Sequence, residues 1–210
     1  MFTAYYKAWS STMAPKKKSA RASATKKKPV ARRPAKPAAR QPAKASGQVK
    51  RQLVEAFQRE HERTRKVLRA LPADQSEMRP HPKAKTMREL AFMFVMEQSL
   101  LKRMLLGEPG SGMPPAPDRL DTIVELFDRG AGDLIAAIQR VPDSGFEDMV
   151  KFPTGPGPNG PTIGDWTKQA FAWFMLADQI HHRGQMSVYL RIAGGRVPAI
   201  YGPSGDEPWR

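Results

Sequence analysis

The stretch that decides the fold is "DQIHHRGQMSVYLR", Asp178 to Arg191. Two adjacent histidines follow an aspartate by about one helical turn, in a segment that otherwise reads as a buried helix. Stepping about 100° per residue from His182 puts Phe171, Met175, Asp178, Gln185, Met186, Tyr189 and Ala193 within about 60° of it. Most of these are large and apolar, so this face points inward. Asp178, His182 and Gln185 then become polar groups on the buried side. His181 falls at the edge of the face. Asp178 and His182 stand at i and i+4 and so neighbour each other. Such a pair can ligate one metal ion, or hydrogen-bond to itself and stay metal-free.

Three more helices are expected upstream. Val49–Leu71 carries Leu53, Phe57, Thr64, Val67, Leu68 and Leu71 at helical spacing and stops at Pro72. A second begins after Thr86, where Glu89 completes a capping box, and runs to Gly107. On it Met93, Met96, Glu97, Leu100 and Met104 share a face, with Glu97 the polar exception and the candidate third ligand. The third spans about Asp118 to Val141, closed by Pro142. A Pro/Gly-rich connection follows, with a short strand near Met149–Phe152. The fourth helix is expected from near Thr162 to Ala193, before Gly194-Gly195. Four amphipathic helices without a series of strands mean an all-α four-helix bundle over residues 49–210. The Gly107–Pro117 loop, at about 3.3 Å per residue, can cross a bundle about 30 Å long and allows a parallel neighbour.

Charge is distributed unevenly. Residues 1–50 hold 14 Lys and Arg and no Asp or Glu; the remainder holds 21 basic and 20 acidic residues, so nearly all of the +15 lies in the first 50 residues. Residues 1–48 are rich in Lys, Ala and Pro, with five prolines between Pro15 and Pro42, and are expected to be disordered. Residues 13–48 can bind DNA or RNA non-specifically through phosphates, or serve only to solubilise. Residues 1–12 differ in character, with four aromatics, and translation is expected to start at Met13. The chain has no cysteine, which excludes disulfides and thiolate metal sites. It has no apolar run long enough for a bilayer and no secretory signal pattern. The expected location is the cytoplasm, or the nucleoid if the tail engages DNA.

"RPHPKAKTMRELAF" (Arg79–Phe92) and "HHRGQMSVYLRIAGGRVPAIYGPSGDEPW" (His181–Trp209) together resemble the DinB family of DinB/YfiT-like four-helix bundles. The resemblance covers about Lys50 to Trp209. It implies an up-down-down-up bundle, often dimeric, with a metal held by three histidines. One of these sits on the second helix and two at H-x3-H on the fourth. Here Met93 occupies the second-helix position, Asp178 the first position of the pair, and only His182 is retained. The resemblance therefore implies a degenerate site at Asp178 and His182, to which the reading of the second helix's face adds Glu97. Methionine is a poor ligand for zinc or nickel, so a metal-free cluster is the expected state and zinc or nickel the alternative.

Three functions follow: a non-catalytic binding or interaction module; a divalent-metal-dependent thiol transferase or hydrolase, as in related members; or a nucleic-acid-associated homodimer. Arg183 is expected to pair with Asp206 or Glu207, and Gly184 to allow close helix approach. Tyr189 is expected to be core with a satisfied hydroxyl. His61 is read as solvent-exposed, and His81 as a loop residue near a pocket mouth.

Overall fold

A computed structural model describes residues 46–110, 112, 114–157 and 160–209. The expected disorder of 1–48 and the Met13 start therefore lie outside the described residues, apart from Ser46–Gln48. Those three already belong to the first helix, α1 (Ser46–Arg69). Then come α2 (Met87–Leu106), α3 (Leu120–Arg140), an antiparallel hairpin of β1 (Met149–Gly157) and β2 (Gly160–Thr167), and α4 (Lys168–Ile192). Short 3-10 turns at Ala73–Gln75 and Asp143–Glu147 follow α1 and α3.

Local chemistry sets the helix ends. At α2 the Thr86 hydroxyl accepts from the Glu89 backbone N–H at 3.1 Å, and the Glu89 carboxylate accepts from the Thr86 N–H at 2.8 Å. Gly107 closes α2 at φ 70°, a left-handed conformation that costs glycine little. Thr167 caps α4 by accepting from Ala170 N–H at 3.1 Å.

Cross-helix contacts fix the directions. Along α2 and α3, Arg88 reaches Asp118 and Lys102 reaches Asp133, so the two run parallel. Between α1 and α3, Lys50 bonds the Gln139 carbonyl while His61 and Arg65 meet Asp128, so these are antiparallel. Between α2 and α4, Glu97 meets His182 and the Lys85 carbonyl meets Tyr189, again antiparallel. The result is the up-down-down-up bundle. Each helix packs extensively on two others: α2 on α3 and α4, α1 on α3 and α4. Leu53, Phe94, Leu101, Ile123, Phe127, Phe171 and Met186 meet in the centre, each at most 1 % exposed.

The hairpin corrects the expected helix start at Thr162. Gly160, Pro161 and Gly164 disfavour helix, while Thr162, Ile163, Trp166 and Thr167 favour strand. Pairing with Met149–Gly157, in the register Met149↔Thr167 and Phe152↔Gly164, settles the contest. The ladder is irregular between Pro153 and Gly155, where proline offers no N–H. Phe152 and Trp166 anchor the hairpin on α4, with ring centroids 4.9 Å from Phe171 and 5.1 Å from Phe174 respectively.

Arg183 differs from expectation. It is 2 % exposed and reaches α1 and Tyr201, not Asp206 or Glu207. Its guanidinium donates to Glu60 Oε2 at 2.6 Å, to the Glu60 carbonyl and Thr64 Oγ1 at 3.2 Å each, and to the Tyr201 hydroxyl. Asp206 is taken instead by Arg191, at 2.5 Å, and Glu207 accepts from Ala199 N–H. Gly184 is exposed, and a Cβ there would meet open space, so it serves no close helix approach. Removing one member of a buried ion pair leaves the other charge uncompensated. Arg183→Ala should therefore lose about 3–5 kcal/mol of unfolding free energy in urea titration, whereas Arg191→Ala at the surface should lose far less.

Candidate metal centre

The antiparallel packing of α2 on α4 brings Glu97 to His182. Glu97 Oε1 lies 2.5 Å from His182 Nδ1, and Asp178 Oδ2 lies 4.0 Å from the same nitrogen. The Glu97 side chain is fully buried, and those of His182 and Asp178 are 11 % and 17 % exposed. Among the described residues, this is the group of three whose ligand atoms all fall within 4.8 Å of one another. The residues singled out in the sequence thus converge at one point. Met93, one helical turn before Glu97, is buried at 3 % exposure. Phe94 sets its edge against the His182 ring at 6.4 Å between centroids.

Beside the triad lies an open cleft of about 680 Å³. Asp178, His181, His182 and Tyr189 of α4 line one side; Phe152 of the hairpin and Pro80 of the loop before α2 lie opposite. Tyr189 is buried and donates its hydroxyl proton to the Lys85 carbonyl at 3.0 Å, as a core tyrosine with a satisfied hydroxyl should. His81 is an exposed loop residue accepting from Lys83 N–H, and its neighbour Pro80 borders the cleft.

Burial is the dominant electrostatic influence here. It pushes the Glu97 carboxyl up to about 7, against the opposing pull of the His182 hydrogen bond. Burial also raises Asp178. Burial alone would depress His182, but the hydrogen bond and charge of Glu97, with Asp178, outweigh it and raise its pKa. As a unit, the triad holds protons to higher pH than free carboxylates do.

One imidazole and two carboxylates are an acceptable donor set for zinc or a similar ion. Their arrangement is not that of a coordination sphere. Ligands about 2.0–2.2 Å from a tetrahedral ion sit roughly 3.3–3.6 Å from each other. The 2.5 Å Glu97–His182 contact is tighter than that and is a hydrogen bond that occupies Nδ1. As arranged, Glu97 and His182 share a proton, and the three side chains together offer one ligand atom each within reach of a single ion. Glu97 Oε2 and Asp178 Oδ2 are buried without a hydrogen-bond partner among the described residues.

Other expectations need correction. Gln185 is exposed, not inward, and bonds His181, also exposed, at 2.9 Å. His61 is not a solvent-exposed histidine. Its side chain is 11 % exposed, its ring stacks on Phe127 at 4.3 Å, and Nε2 lies 3.2 Å from Asp128 Oδ1. Sequence reasoning placed Thr64 on the buried stripe of α1 but missed the buried polar residues Glu60, Gln98 and Gln179. For Gln98 and Gln179 a signal was available, since each directly follows a triad carboxylate and so points about 100° away, toward a different neighbour.

Comparison with known proteins agrees with the fold. Residues 41–209 match the model of the DinB family. The uncharacterized protein YrdA of Bacillus subtilis is 30% identical over 94 residues, 44% of this chain and 51% of that protein, so the chain spans about half the length of this curated relative. A DinB-like protein from Bacillus cereus superposes with a TM-score of 0.59 at 24% identity, covering 71% of this chain and 95% of that one. The DinB-like protein YjoA of Bacillus subtilis gives a TM-score of 0.53 at 15% identity, with 70% and 95% covered. At these identities the two structures speak to the fold alone. With four-fifths of its length matched by the family pattern, the chain belongs to the DinB family.

Proposed function

We propose that this chain is a non-catalytic binding module of the DinB fold, in which Glu97, Asp178 and His182 hold protons where other members hold a metal. The observation that carries the reading is the 2.5 Å contact between Glu97 and His182, with Met93 one turn away. A methionine is a poor replacement for the missing imidazole at zinc or nickel. The proton-sharing pair ties α2 to α4 beneath the cleft, and the cleft is the place for a ligand.

A second reading is supported by the two unpartnered oxygens, Glu97 Oε2 and Asp178 Oδ2. With His182 they could hold a divalent ion and make the cleft the site of a thiol transferase or hydrolase. Two further parts of the proposal concern assembly. Val188 and Ile192, at i and i+4 on α4, are 57 % and 55 % exposed, which supports a homodimer. The 14 basic residues among the first 50 support non-specific nucleic-acid contact.

Elemental analysis of the untagged full chain tests the main reading. Zinc and nickel should be well below one equivalent and should not fall further in His182→Ala. A full equivalent that disappears in that variant would establish the enzyme reading instead.

The pH dependence of stability has opposite signs in the two readings. Glu97 binds its proton more tightly folded, at about 7, than unfolded, near the model-peptide value of about 4.5. Its contribution is therefore full below about pH 4.5 and is lost as pH rises through about 7. His182, raised likewise, acts in the same direction. Urea midpoints should fall from about pH 5 to about pH 8, by up to about 3 kcal/mol in unfolding free energy, and Glu97→Gln should flatten the slope. Carboxylates holding a metal would instead gain stability with rising pH, because protons compete with the ion.

Binding of a random-sequence duplex DNA, followed by fluorescence anisotropy, should weaken steeply with salt and vanish when residues 1–45 are removed.

A further inference from the structure

The bundle contains a second cavity, of about 550 Å³, with no lining residue in common with the cleft beside His182. It lies between His61 and Arg65 of α1 and Asp128 and Gly132 of α3. Gln98 of α2 and Gln179 of α4, each 3 % exposed, reach it from the interior. Its size is that of a small-molecule site.

Three of its lining residues carry buried side-chain atoms with no hydrogen-bond partner among the described residues: His61 Nδ1, Gln98 Oε1 and Gln179 Nε2. Buried polar atoms are normally paired, so three at one cavity point to something that binds there. Their chemistry is specific. His61 Nε2–H donates to Asp128, and burial depresses the ring's pKa, so Nδ1 presents a lone pair. Gln98 Oε1 is a second acceptor and Gln179 Nε2 a donor. Gly130 makes room for the Gln98 amide, since a Cβ there would lie 2.4 Å from Oε1.

The charges at the rim cancel among themselves. Arg65 pairs with Asp128 at 2.8 Å and Glu62 at 3.3 Å, and Arg69 also reaches Asp128. An anion would face two carboxylates, and a cation would compete with arginines already in place. An uncharged ligand meets neither obstacle.

We propose that this cavity binds a small uncharged molecule bearing a primary carboxamide or ureide, recognised by Gln179, Gln98 and His61. Such a group offers two N–H donors and one carbonyl acceptor, the complement of two acceptors and one donor. Turning either glutamine amide over exchanges its donor and acceptor, and a ligand carrying both kinds of group matches either arrangement.

The test is an NMR titration of the isotope-labelled full chain with nicotinamide and benzamide, using methyl benzoate as the shape-matched control without N–H groups. The carboxamides should bind saturably, with Kd on the order of 1 mM, and shift the side-chain amide signals of Gln98 and Gln179. Methyl benzoate should bind at least roughly tenfold more weakly, and Gln179→Leu should weaken the carboxamides by a similar factor. Gly132→Phe is the second variant. Its added side chain starts in open space at the cavity wall and occupies the volume a ligand would need. It should abolish binding while the thermal melt is retained. Absence of saturable shifts, as for a cavity that holds only water, would overturn the assignment. So would equal binding of methyl benzoate, or shifts that survive Gly132→Phe and map to His182 and Tyr189. None of these readouts depends on whether the triad holds a metal.

Discussion

A guanidinium inside a helical bundle is tolerated only while every one of its partners stays in place. Arg183 meets that condition through Glu60, Thr64 and Tyr201, which tie α4 to α1 and to the C-terminal segment at one point. Burial opposes ionisation of Glu60, yet its hydrogen bonds to Tyr201 and Arg183 and the charges of Arg183 and Arg63 bring its pKa below the ordinary value. The carboxylate therefore remains charged opposite the arginine. One residue earlier in the chain, His182 faces α2 instead and takes Glu97. Successive residues of one helix thus address two different neighbours, and a rotation of α4 would break both sets of bonds together. Apolar packing allows a helix to slip, but paired buried polar groups fix its rotation.

That double engagement also explains what could be read from the chain and what could not. Glu97 was legible because it is a lone carboxylate in an apolar stripe, and Thr86 with Glu89 because a capping box is a local pattern. Asp178 and His182 were legible from i, i+4 spacing alone. Arg183 was not. Helix α4 has inward-facing residues on more than one side, from Ala172 and Leu176 to Met186 and Leu190. A single stripe drawn around His182 therefore takes in too much on one side, such as Gln185, and too little on the other. The hairpin was legible only in its first strand, near Met149–Phe152. Its second strand is specified by its partner, and Thr162–Thr167 taken alone leads straight into a helix. His61 looked exposed because charges surround it in sequence, whereas in space Phe127 covers its ring.

Membership in the DinB family accounts for the fold. The four-helix frame is retained, and so is the point where α2 and α4 converge, but the groups at that point have changed. With one imidazole left, a carboxylate that would repel its neighbour in an apolar environment is stabilised by keeping a proton. At that point the contact between Glu97 and His182 joins α2 to α4 beside the cleft. The second cavity, on the other side of the same two helices, shows that the interior has not lost its polar character altogether.

The parallel run of α2 beside α3 has a kinetic consequence. Helix α1 shares no extensive interface with α2, nor α3 with α4, so no helical hairpin of sequence neighbours is available as an early folding unit. The chain must close long loops before most of its core can assemble, which raises the contact order and slows the search compared with an up-and-down bundle of equal size. A ribosome that has released α1, α2 and α3 has still not supplied His182 for Glu97 or Arg183 for Glu60. The last helix to emerge carries both, so these two buried pairs form late and together.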